Sequence, residues 1–154
     1  MSTVYAESYR NINFREHPEK YHIGRGEQGV LIAEPYKSEI LPHWKFKTPD
    51  IARSSAEKIY QLFTGYKNTR DFVGMDMARK YLQMGFTRAR RYANHSGGQK
   101  YSAARLTLPQ DEGSEQSEKA ESARIFYAYY VRAREDKIYQ TLREEHKKRE
   151  KASL

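Results

Sequence analysis

The sequence predicts a mainly α (α+β) fold, with three to four packed helices and a small N-terminal β-hairpin. Three observations predict it. Apolar residues recur at helical spacing over 51–63, 75–93 and 120–142. Two short β-prone runs, Tyr21-His22-Ile23 and Val30-Leu31-Ile32-Ala33, flank a glycine-rich connector. The third is the aromatic content. Leu, Ile, Val and Phe number only 26 of 154 residues, which with a net charge of +8 is a composition of weakly folding chains. Against this stand 13 Tyr, 6 Phe and 1 Trp. Each aromatic buries about 150–250 Å², so the expected core is built on aromatics and Ala, with tyrosine hydroxyls reaching its edge.

Residues 1–20 read as a loosely ordered arm that Tyr5, Tyr9, Ile12 and Phe14 pin to the body. A single globular domain is expected over 21–147, a chain long enough to bury roughly 70% of its unfolded surface, with a charged tail over 148–154. The hairpin places Arg25 at its tip, and Pro35 ends its second strand. Ser38–Leu41 suits one helical turn, and His43-Trp44-Lys45-Phe46-Lys47 alternates like a third short strand.

Thr48-Pro49-Asp50 marks a helix start: Thr caps, Pro fits the first position, and Asp complements the positive helix end. Gly65 is the expected stop. A second helix runs from about Thr69 to Asn94, with Met75, Ala78, Leu82, Gly85, Phe86, Ala89, Tyr92 and Ala93 on its core face. The small residues Ala78, Gly85 and Ala89 permit close approach of a neighbour. A loop over 99–114 precedes a third helix starting near Glu115, capped by Ser114 or Asp111. Its segment Phe126–Tyr130 is aromatic nearly all round, which suggests burial on more than one side. After Asp136 comes a fourth, shorter helix or a kinked continuation.

The chain has no cysteine, so disulfides and thiolate metal sites are excluded. No apolar run approaches the ~18 residues of a membrane span, and no apolar stretch of a signal peptide follows Met1. A cytoplasmic protein without membrane contact is expected.

The charge is unevenly placed. Residues 1–50 carry 7 basic and 7 acidic side chains, residues 51–105 carry 11 and 3, and residues 106–154 carry 10 and 10. The whole excess lies in the middle segment. On a helical wheel Lys80, Thr87, Arg88, Arg91 and His95 gather opposite the core, with Arg79 and Arg90 on a flank. One reading is a face that only keeps the protein in solution. The sharper reading is a phosphate-binding face, in which Arg forks grip phosphate oxygens and Lys and His add point charge. Lys100 and Arg25 would assist. His43–Lys47 offers a related pair of readings: base stacking with phosphate contacts if exposed, or aromatics inward and lysines outward.

Other motifs are weak. Gly24-Arg25-Gly26-Glu27-Gln28-Gly29 matches G-x-G-x-x-G, but a strand-like run follows where a dinucleotide site needs a helix. His17 and His22, with Glu16 and Glu19, lack the spacing of a helical metal site, and surface histidines are the simpler reading. No nucleophile elbow, phosphate loop or paired-carboxylate pattern occurs.

Gly24–Val30, Glu34–Pro42, Gly74–Lys80, Phe86–His95 and Lys119–Ser122 resemble signature blocks of the family catalogued as domain of unknown function 4385, small cytosolic proteins of bacteria, phages and fungi. The resemblance runs from about Tyr21 to His146. It implies a stand-alone cytosolic domain and supplies no activity, cofactor or catalytic residue. The expectation is therefore a small cytosolic non-enzymatic binding protein, without cofactor or metal, that contacts nucleic acid or another polyanion through its basic helix face. One alternative is a regulator binding an acidic protein, with a homodimer through the aromatic third helix. The other is a small enzyme for a phosphorylated metabolite, which would need Arg25, Glu39, His43 and Arg91 to converge.

Overall fold

The computed structural model describes residues 9–24, 31–94 and 117–152. Five α-helices lie among them: α1 (Tyr36–Ile40), α2 (Pro49–Asn68), α3 (Phe72–Asn94), α4 (Glu118–Arg134) and α5 (Lys137–Ala152). Single 3₁₀ turns occupy Pro18–Lys20 and Leu41–His43.

The helical prediction holds; the hairpin does not. The described residues contain no strand, only an isolated parallel bridge between Asn13 and Glu34. Tyr21–Gly24 is irregular, and Leu31 and Ile32 lie in a turn. Their side chains serve the helical core instead of each other. Tyr21 is fully buried against Phe14 and Phe72, and Ala33, also buried, leads into α1. Most of the glycine-rich connector, with Arg25, lies outside the described residues. His43–Lys47 is not a strand either. Trp44 N–H donates to Leu41 C=O at 3.0 Å, and Lys45 N–H donates to Ser55 Oγ on α2 at 3.0 Å. The turn and the helix thus take the donors that a strand partner would need.

The Thr48-Pro49-Asp50 start is where the sequence places it: Thr48 Oγ1 accepts from Ile51 N–H at 3.2 Å. Gly65 does not stop α2, which continues to Asn68. A helical Gly costs about 1 kcal/mol, and burying the Tyr66 ring one position later outweighs it. The helix expected from near Glu115, α4, starts at Glu118 instead, because Ser117 is the cap, its Oγ accepting from Ala120 N–H at 3.1 Å; Asp111 and Ser114 lie outside the described residues. Asp136 separates α4 from α5 by accepting from Tyr139 N–H at 2.9 Å while pairing with Lys67 on α2 at 2.7 Å. Residues 148–152, expected in a tail, extend α5, and Glu150 there accepts from Ile23 N–H at 3.0 Å.

Helix α3 is the centre of the packing. It lies most extensively against α4, and α2 closes against both. Gly85 admits a neighbour as expected, and Gly74 does the same. A Cβ on Gly85 would overlap the Phe126 ring of α4, and one on Gly74 would meet the Tyr66 ring of α2. Tyr9 and Phe14 are buried, with ring centroids 4.5 Å apart, so they pin their segment to the core as expected; Tyr5 lies outside the described residues. Helix α4 is less enclosed than its aromatics suggest. Phe126 is buried but Tyr127 is 43% exposed. Arg132 and Arg134 lie over the Tyr129 and Tyr130 rings at 5.1 Å, so guanidinium planes cover what a second helix would otherwise cover. No helix among the described residues is long and apolar enough to cross a membrane.

Candidate nucleic-acid interface

The expected basic face of α3 divides in two. In its first half Lys80 is fully buried, contrary to its place on the wheel, and the Arg79 side chain is only 11% exposed. Asp76 draws both inward. Its Oδ1 accepts from Arg79 Nη2 at 2.6 Å and from the Tyr139 hydroxyl of α5 at 2.6 Å. Its Oδ2 accepts from the Tyr21 hydroxyl at 2.5 Å and lies 3.8 Å from Lys80 Nζ. Lys80 Nζ also sits 5.2 Å from the centre of the Tyr21 ring.

The electrostatics follow from this crowding. Burial would raise the Asp76 carboxyl, but Arg79, Lys80 and the two tyrosine hydroxyls outweigh it and hold it well below the usual carboxylate range. Burial lowers the Lys80 ammonium; Asp76 opposes this, while Arg79 and Arg143 add to it. Burial also pushes the Tyr21 and Tyr139 hydroxyls up, and the Asp76 charge reinforces the rise.

The second half of α3 has no such acid. Arg91 is exposed, and Arg88 is half-buried with its guanidinium 5.3 Å from the centre of the Trp44 ring. Neither pairs with a carboxylate among the described residues. Arg90 is half-buried. His95, Lys100 and Arg25 lie outside the described residues.

Beside Arg88 runs an aromatic line. Trp44 and Phe46 ring centroids are 5.1 Å apart, and Phe46 and Tyr92 centroids are 6.4 Å apart. Tyr92 is 42% exposed, which corrects its expected place in the core; it lines an open cleft with Phe46 and with Lys119 at the start of α4. Lys45, Phe46, Lys47, Ile51, Tyr92 and Lys119 enclose a cleft of about 470 Å³. Among the described residues its wall holds three lysines, two aromatic rings and no acid. Lys119 Nζ donates to Lys47 C=O at 2.6 Å, which ties α4 to the segment before α2. Trp44 and Phe46 are half-buried while Lys45 and Lys47 are exposed, so the alternation read in the sequence survives without a strand. Sequence reasoning missed Ile51 and Lys119, whose signal exists only once α2 and α4 are placed.

Other candidates disperse. Glu39 is held by both terminal guanidinium nitrogens of Arg15 at 2.7 and 2.8 Å and by the Tyr66 hydroxyl, while His43 lines a neighbouring cleft with Pro42, Asp50 and Ser55 that shares Lys45 and Ile51 with the lysine-rimmed one. His17 faces Glu19, and His22 faces Glu150 on α5.

The fold and this surface define a helical protein with a lysine-rimmed aromatic cleft at one end of its central helix. The chain belongs to the family described as Domain of unknown function (DUF4385), whose match covers residues 4–149. Neither a curated protein nor a solved structure matches it.

Proposed function

We propose that the protein is a non-enzymatic binder of single-stranded nucleic acid, with the lysine-rimmed aromatic cleft and the outer half of α3 as its contact surface. The observation that carries this is the exposed Tyr92 ring in a cleft walled by Lys45, Lys47 and Lys119, with no acidic side chain among its described lining residues. An aromatic face accepts any base by stacking, and unneutralised ammonium and guanidinium groups hold the phosphates on either side. Arg88 and Arg91 extend the positive rim, with Arg88 lying over the Trp44 ring.

Fluorescence anisotropy with labelled single strands of unrelated sequence tests the proposal. Binding should be measurable at ~50 mM salt and weaken by about 0.7 log units per contacted phosphate for each log unit of salt. Reversing charge at Arg88 and Arg91 should remove most of the affinity. Tyr92→Ala should cost about 1–3 kcal/mol of binding per stacked base. Undetectable binding at low salt overturns the proposal, as does binding that neither change weakens.

A further inference from the structure

A second cleft, of about 500 Å³, opens where α3, α4 and α5 meet. We infer that it is a binding site for a small phosphate-class dianion, either inorganic phosphate or the phosphate of a monoester. Among the described residues its lining includes Arg79 from α3, Arg134 from α4 and Arg143 from α5, with Gly24 beside them and no acidic side chain. The amides of Gln83 and Gln140 and the rings of Tyr130 and Tyr139 complete much of the wall.

Arg79 is the built part of this site. Its Nε donates to the Tyr139 hydroxyl at 3.1 Å, Nη1 to Gln83 Oε1 at 2.7 Å and Nη2 to Asp76 Oδ1 at 2.6 Å. Those three bonds lock the guanidinium and leave two of its five N–H groups for a ligand. Because Gln83 accepts with its oxygen, its amide nitrogen remains a donor.

Among the described residues the charge is not closed. The one carboxylate buried among them, Asp76, faces both Arg79 and Lys80, so Arg134 and Arg143 add positive charge that it does not balance. Their own acidic neighbours, Glu135 at 3.6 Å and Glu144 at 4.0 Å, are each 64% exposed and hold them weakly. A dianion with several oxygens satisfies three guanidinium forks at once, which a halide cannot do. The site lies on a different set of residues from the lysine-rimmed cleft, so it stands or falls independently of nucleic-acid binding.

Thermal unfolding in matched ionic strength provides the test, with chloride, inorganic phosphate and ethyl phosphate as separate arms. At about ten times Kd, phosphate should raise Tm by roughly 5 °C over chloride. A larger rise with ethyl phosphate assigns the site to monoesters; an equal or smaller one assigns it to the free ion. Arg134→Gln with Arg143→Gln should abolish the rise while the Tm in chloride stays within a few degrees. Arg88→Glu with Arg91→Glu should leave the rise intact. If the double glutamine variant loses its fold, each single variant is titrated instead, and each should weaken binding about tenfold. No rise beyond chloride, a rise that survives loss of both arginines, or one that disappears with Arg88 and Arg91 overturns the inference.

Discussion

In the first turns of α3, Arg79 and Lys80 lie below the surface around Asp76; in the last turns, Arg88 and Arg91 meet no carboxylate among the described residues. The same residue types on one helix therefore do opposite work. A buried acid three and four positions back turns two cations into structure. Its absence further along leaves Arg88 and Arg91 without a carboxylate among the described residues. The difference teaches that a basic helix face should be read together with its nearest acid before it is read as a binding surface.

Removing that acid should break the comparison most severely. Asp76→Ala leaves Arg79 and Lys80 buried without their counter-charge and deprives two tyrosine hydroxyls of their acceptor. Urea unfolding at neutral pH should show a loss of about 3–5 kcal/mol. Acid should act on the same group. The folded state holds the Asp76 carboxyl below its unfolded value of about 3.9, so its contribution is complete above that value and fades as pH falls beneath it. Wild-type stability should therefore drop between about pH 4 and about pH 2, more steeply than that of Asp76→Ala. Lys80→Met should have a much smaller effect, within about 1 kcal/mol in either direction, because burial of the ammonium offsets its attraction to Asp76. If it costs as much as Asp76→Ala, Lys80 is a structural partner equal to Arg79. Charge reversal at Arg88 and Arg91 should change stability least, by about 1 kcal/mol or less, most of it the contact of Arg88 with Trp44.

Much of this was readable in advance where the cause was local. Thr48-Pro49-Asp50 started a helix because cap, proline and acid act within one turn. Gly85 marked a close helix crossing because only a missing Cβ admits the Phe126 ring. The failures share a different cause. Lys80 fell on the polar side of the wheel, yet Asp76 and the Tyr21 ring, 59 positions earlier in the chain, took it inside. Asp76 itself carried a signal that was not used: a lone acid between Met75 and Met77, with Arg79 and Lys80 at helical spacing. The hairpin failed because Tyr21 found better partners in the helical core than in Val30–Ala33. Arg134 and Arg143 had no local signal, since only the meeting of three helices brings them to one cleft.

One feature of the Asp76 cluster reaches beyond stability. Tyr21 and Tyr139 bring segments from opposite ends of the chain to one carboxylate, and His146 Nε2 lies 2.6 Å from the Tyr21 carbonyl oxygen, 125 positions away. The segment around Tyr21 thus has no complete set of partners until α5 exists. During synthesis it must wait for the residues through His146 before docking. Helix α5, made after every other described helix, is the one that lets this segment settle.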